Sequence, residues 1–143
     1  MKILVNNKKA NFNYTIIETY EAGIALTGSE VKSLNESHGN LEEAFVIIRN
    51  KEMFILNLNI PKYKFNTLKN HEETRTRKLL MHKHEILKIE LKKKQEKLTL
   101  IPLIIYWKSQ KIKVKIGLAK GRKKHDKREV LKLRDDMRSM KNY

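Results

Sequence analysis

No cysteine occurs among the 143 residues, and this one absence removes disulfides, thiolate nucleophiles and cysteine zinc sites together. Two prolines and five glycines are too few for a collagenous, linker-like or low-complexity chain. Aromatic residues make up 7%, too sparse for the stacking platform of a single-strand nucleic-acid binder. No segment approaches the roughly 20 consecutive apolar residues of a membrane span. Met1-Lys2-Ile3-Leu4-Val5-Asn6 turns polar too soon for a signal-peptide core, so the cytoplasm is the expected location. Acidic charge is also short, with 16 Asp and Glu against 32 Lys and Arg.

What remains is a chain with 40% hydrophobic and 34% charged residues, enough to fold as one domain with a tail. Its charge of +16 is distributed unevenly. Residues 1 to 60 carry 6 basic and 7 acidic groups, residues 61 to 107 carry 12 and 5, and residues 108 to 143 carry 14 and 4. A near-neutral first part joined to a strongly basic second part implies a polyanionic partner, nucleic acid ahead of membrane.

Tyr14 to Leu26 is β-branched and aromatic enough for a strand, with Gly23 expected to kink or bulge it. Thr27-Gly28-Ser29-Glu30 has capping-box spacing and predicts a short helix bearing Val31 and Leu34 and ending in a left-handed turn at Gly39. Ala44–Arg49 and Met53–Ile60 flank Asn50-Lys51-Glu52 as a hairpin. Pro61 to Thr76 has no periodic apolar face and is a long loop of the functional kind. Lys78 to Glu96 has helical spacing, with Leu87 and Leu91 at i, i+4, Ile86 and Ile89 beside them, and Lys92, Lys93 and Lys94 on a solvated face. Leu98–Trp107 is a strand whose Pro102 implies an edge or a bulge. In Lys111–Leu118, Ile112, Val114, Ile116 and Leu118 alternate with Lys111, Lys113 and Lys115, placing a row of ammonium groups opposite the core. Five strands with two unevenly placed helices predict a mainly β fold, a small curved barrel of oligonucleotide-binding (OB) type rather than a parallel sheet.

Catalytic constellations are missing. His82-Lys83-His84-Glu85 is the one histidine cluster, but i, i+2 spacing on a helix would turn its rings to different faces. Glu42-Glu43, Glu72-Glu73 and Asp135-Asp136 read as solvated surface, and Gly121 stands apart from any phosphate-loop pattern. No cofactor, metal or enzymatic activity is expected. The basic groups fare better. The lysine face of 111–115 has no acidic partner along its own strand and leads into Lys120-Gly121-Arg122-Lys123-Lys124, an arrangement suited to phosphates. Arg75, Arg77 and Lys78, preceded by Asn70 and His71, add guanidinium forks on the loop. Glu30 reads first as the capping-box carboxylate, with a second reading as acceptor for a base edge or ribose hydroxyl.

Several ordered blocks resemble the small protein B family, the SsrA-binding proteins of bacteria. They are Glu21-Ala22-Gly23-Ile24, Leu26 through Leu34, Asn70-His71, Arg75 through Leu80, His82-Lys83 with Glu85-Ile86, and Lys120 through Glu129. The resemblance spans almost the whole chain. It implies an OB-type barrel over 1–121 and a basic tail over 122–143, disordered when free and helical on the ribosome. It also implies a non-enzymatic monomer that binds the tRNA-like domain of transfer-messenger RNA (tmRNA) and delivers it to stalled ribosomes, its tail in the empty mRNA channel. By this resemblance the tmRNA-binding residues are Glu30, Lys32, Asn70, His71, Arg75, Arg77, Lys78, His82, Lys83, Lys120, Arg122, Lys123 and Lys124. His125, Asp126, Lys127, Arg128, Arg138 and Met140 become the ribosome-binding tail. Asn35 stands where a basic residue is common in the family, and Glu73 where proline is common. A basic OB-type structural protein of the ribosome is the alternative. The tail's thin seam of Val130, Leu133, Met137 and Met140 is too little to hold an isolated helix, so its ordering requires a partner.

Overall fold

A computed structural model describes residues 2–36, 38–63 and 71–121. Within them lie β1 (Lys2–Asn6), α1 (Ala10–Asn13), β2 (Tyr14–Ile24), α2 (Gly28–Asn35), β3 (Phe45–Arg49), β4 (Glu52–Leu56), β5 (Arg77–Leu80), α3 (Lys83–Glu96), β6 (Thr99–Lys108) and β7 (Lys111–Gly121). The strands form one antiparallel sheet in the order β1-β6-β7-β2-β5-β4-β3. The sheet curls enough to bring β3 against β6. The protein is mainly β, as expected, but strands β1 and β5 and the short helix α1 were not foreseen.

Alternation explains most of the core. Val114, Ile116 and Leu118 are fully buried, as are Leu100 and Ile105 of β6, Met53 and Ile55 of β4, and Leu34 of α2. Each side chain of this kind contributes roughly 1.5–3 kcal/mol when withdrawn from water. On the other face of the sheet, Ala119, Ile101 and Ala10 make a smaller cluster with Tyr14, Ile16 and Leu103.

Several expectations are corrected. Lys78–Leu80 belongs to β5 rather than to a helix, and α3 begins at Lys83. In β5 the alternation is Arg77 and Leu79 inward, Lys78 and Leu80 outward, so an inward arginine disguised the strand. In α3 the core takes Ile86 and Ile89, whereas Leu87 and Leu91 are exposed, because i, i+3 and i, i+4 stripes on one helix compete and the partner surface chooses. The α2 C-cap is Glu36, and no glycine has positive φ. Gly39 serves close packing instead, since a Cβ there would lie 2.7 Å from Val5 Cγ2 and 2.8 Å from Leu34 Cδ2. Gly23 carries no bulge. The register shift of β2 falls between Ile16 and Glu18, while Gly23 pairs with both Lys113 and Leu80 and lets Leu80 Cβ approach. Pro102 does sit at a bulge, within a strand paired on both sides. The hairpin turn forms at Asn50 and Lys51, both at positive φ, a combination suited to the twist of a two-residue connection.

A charged clasp fastens α3 to β2. Glu18 accepts hydrogen bonds from Lys92 Nζ and from the Tyr20 hydroxyl. Burial and the neighbouring carboxylate push the Tyr20 phenol up to about 12. A phenol whose folded pKa is raised contributes stability below its ordinary value of 10.0 that is lost as pH rises through about 12. Alkaline titration should therefore show a late Tyr20 phenolate transition by ultraviolet absorbance, together with falling thermal stability. Tyr20→Phe should remove one phenol from that late component, leaving Tyr106, which burial and Glu21 also raise, and should cost about 1 kcal/mol at neutral pH. A late component of unchanged amplitude in Tyr20→Phe would exclude this assignment.

Candidate RNA-binding site

The capping box read from Thr27 and Glu30 is present. The Thr27 amide donates to Glu30 Oε1 at 2.8 Å, and the Glu30 amide donates to Thr27 Oγ1 at 3.4 Å. Glu30 does more than cap. Its fully buried carboxylate accepts from Arg75 Nη2 at 2.6 Å and Nε at 3.1 Å, and from Arg77 Nε at 2.5 Å. Burial alone would raise the Glu30 carboxyl, but the bonds from Arg75, the Thr27 amide and Arg77 outweigh it and hold the group below its ordinary value.

Arg77 is equally enclosed. Besides Glu30, its Nη1 donates to the carbonyls of Leu58 (2.6 Å) and Arg75 (3.2 Å), and its Nη2 to those of Glu72 (3.4 Å) and Glu73 (3.1 Å). Five donors meet five acceptors, which is how a buried guanidinium escapes an uncompensated desolvation cost. Burial lowers the Arg77 pKa, opposed by Glu30, and the group stays charged. His71 is buried beside the same helix turn. Its Nε2–H donates to the Ile60 carbonyl at 2.7 Å, and Nδ1 shares a hydrogen bond of 2.8 Å with Ser29 Oγ.

The residues carried over from the resemblance therefore divide. Glu30, His71, Arg75 and Arg77 form one network in which Glu30 and Arg77 have no exposed surface. Lys32 is exposed on α2, its Nζ 5.6 Å from the Tyr63 ring centroid. Lys78 is exposed and paired with Glu52 at 3.2 Å. His82 and Lys83 are exposed at the start of α3. The His82 and His84 rings stack at 5.7 Å rather than diverging, because His82 is the extended N-cap and not yet helical. Lys120 is exposed near the end of β7. Asn70, Arg122, Lys123 and Lys124, with the tail residues His125, Asp126, Lys127, Arg128, Arg138 and Met140, lie outside the described residues. Among the described residues no group of His, Asp and Glu is placed to hold a metal, and no helix is long and apolar enough to cross a membrane.

A second surface was only partly legible. On the outward face of β6, β7 and β2, Lys113 pairs in register with Tyr106 and Gly23, and Lys115 with Glu21 and Ile104. The ammonium row therefore has an acidic neighbour after all, one strand away. Glu21 accepts from the Tyr106 hydroxyl at 2.5 Å and from Lys108 Nζ at 3.2 Å, and its side chain remains 35% exposed. Those bonds lower the Glu21 carboxyl, with Tyr106 the largest contributor. Beside them Leu80 is 51% exposed. A groove of about 440 Å³ runs between Gly23, Leu26, Val31, Leu80, Trp107 and Lys113. The Trp107 indole N–H donates to Asn35 Oδ1 at 2.7 Å, so this departure from the family pattern bonds the groove's tryptophan. The missing sequence cue was cross-strand register, which spacing along one strand does not encode.

The family model described as SmpB protein matches residues 4–143. An SsrA-binding protein of Mycoplasmoides gallisepticum is 55% identical over 143 residues, covering 100% of both chains. One of Thermosipho melanesiensis is 51% identical, covering 100% of this chain and 98% of its own. A solved structure described as "tmRNA-SmpB: a journey to the center of the bacterial ribosome" superposes with a TM-score of 0.72 at 39% identity, covering 92% of this chain and 95% of that one. With the family model matched over nearly the whole length, and near-complete relatives at about half identity or better, the chain belongs to the SmpB family of SsrA-binding proteins.

Proposed function

We propose that this protein binds the tRNA-like domain of tmRNA (SsrA RNA) in the cytoplasm and acts with it on stalled ribosomes, as a binding protein and not an enzyme. The observation that carries the reading is full-length similarity to proteins named for SsrA binding. In this reading residues 1–121 form the OB-type RNA-binding domain, and residues 122–143 serve the ribosome.

The RNA-facing surface is the outward side of β7 with its neighbours. Lys111 and Lys115 are exposed there, Lys113 is half-buried, and Leu80 and the adjoining groove offer apolar contact. Lysines answer phosphates, while a carboxylate on the same face accepts from a base edge or a ribose hydroxyl. Glu21 suits that second task better than Glu30, because Glu21 is partly exposed and already oriented by Tyr106 and Lys108, whereas Glu30 is enclosed.

Two measurements test the reading. Contact with about five phosphates should make log K fall with log salt at a slope of roughly −4, a loss of a few hundredfold between ~50 and ~200 mM; a flat profile would contradict it. Isolating the protein from bacterial cells and sequencing the co-purifying RNA should give one dominant tRNA-like species. Ribosomal RNA throughout would instead favour a structural protein of the ribosome.

A further inference from the structure

We infer that Glu30 is a positioning residue that touches no RNA, and that its task is to aim Arg75, whose outward guanidinium nitrogen receives a phosphate. The inference rests on the RNA-binding reading above. Arg75 turns one edge of its fork inward, giving Nε and Nη2 to Glu30 at 3.1 and 2.6 Å and Nη2 also to the Ala25 carbonyl at 3.2 Å. Its Nη1 has no hydrogen-bond partner among the described residues, and the side chain retains 31% exposure against 0% for Glu30.

Charge counting leads to the same place. Two guanidinium groups surround one carboxylate, leaving one positive charge in excess. All five Arg77 donors are used inside the protein, so an anion can approach the excess only from the Arg75 side. Holding the fork beforehand removes rotamer freedom that RNA binding would otherwise have to remove, which is the general gain of preorganisation. Backbone placement does not depend on Glu30 alone. Arg77 holds the Arg75 carbonyl, and the Ser29 to His71 bond ties the other end of the segment to α2. Loss of the Glu30 charge should therefore release the Arg75 side chain more than its backbone.

The test uses the full chain and a labelled tRNA-like RNA, with affinity read by anisotropy at several salt concentrations. Arg75→Gln should weaken binding about tenfold, the worth of one charge-assisted bond, and make the salt slope shallower by about 0.9, one phosphate. Glu30→Gln, assayed at a temperature where circular dichroism shows it folded, should do the same, and the double variant should bind no more weakly than either single one. Additive losses would overturn the inference, because they would require Glu30 to meet RNA independently. Should Glu30→Gln not fold, Arg75→Lys decides the matter: it keeps the charge without the fork and should lose most of what Arg75→Gln loses, whereas native-like binding would overturn the positioning role. Failure of the unaltered protein to bind the tRNA-like RNA would be a different result, overturning the RNA-binding reading and this inference with it.

Discussion

Replacing Arg77 with methionine is expected to destabilise the folded protein by about 3–5 kcal/mol, the typical cost of removing one partner from a buried ion pair. The substitution preserves much of the side-chain volume, so the loss is electrostatic and not a cavity effect. It leaves Glu30 with Arg75 and the Thr27 amide and deprives the carbonyls of Leu58, Arg75, Glu72 and Glu73 of the Arg77 donors. Against a total stability of roughly 5–15 kcal/mol for a domain, that is a large fraction. At about 3–5 °C per kcal/mol for this size, the thermal midpoint should fall by roughly 10–20 °C. Arg77→Lys should be intermediate, because an ammonium offers three donors where the fork offered five. A second readout follows from pH. The Glu30 carboxyl is held below its ordinary value of 4.5, so its contribution is present above that value and disappears as pH falls through the lower, folded pKa. Arg77→Met should flatten this acid limb of the stability profile. A midpoint within about 2 °C of the native protein would show that the fork is not holding the segment.

The same residue explains why part of the fold escaped the sequence. A strand reads as alternation of apolar and polar residues, but β5 places Arg77 where an apolar residue is expected. The justification for that arginine is Glu30, 47 positions away in the chain, and the pairing appears only once β5 is inserted between β2 and β4. By contrast, the capping box of α2 and the alternation of β7 were visible because both are settled within a few residues. The candidate site divides along the same line. The lysines of β7 were legible one strand at a time, whereas Glu21, Tyr106 and Leu80 join them only through the registers Glu21 with Lys115, Tyr106 with Lys113 and Gly23 with Leu80. Glu30 read first as a cap, which it is, and second as an acceptor for RNA, and nothing in its local spacing shows that two arginines from a distant loop and strand enclose it.

The largest expected effect on RNA binding comes from replacing Lys111, Lys113 and Lys115 together with glutamine. If each meets one phosphate, the salt slope should become shallower by about 2.7 and affinity near physiological salt should drop roughly a hundredfold, at about 1 kcal/mol per contact. The fold should tolerate the change. The three side chains lie outside the core that Ile112, Val114 and Ile116 build from the same strand, and removing like charges from one face relieves repulsion. Glu21 provides the internal control. Lys113 is among the groups that lower its carboxyl, so the triple variant should let the Glu21 pKa rise, measurable by carbon NMR of that carboxyl, while Tyr106 and Lys108 still hold it. Unchanged affinity and slope, with the Glu21 pKa raised, would mean that the lysines are present on this face but that RNA binds elsewhere. A lost slope with an intact melting curve would place phosphates on β7, since the network of Glu30, Arg75 and Arg77 is untouched by the substitutions.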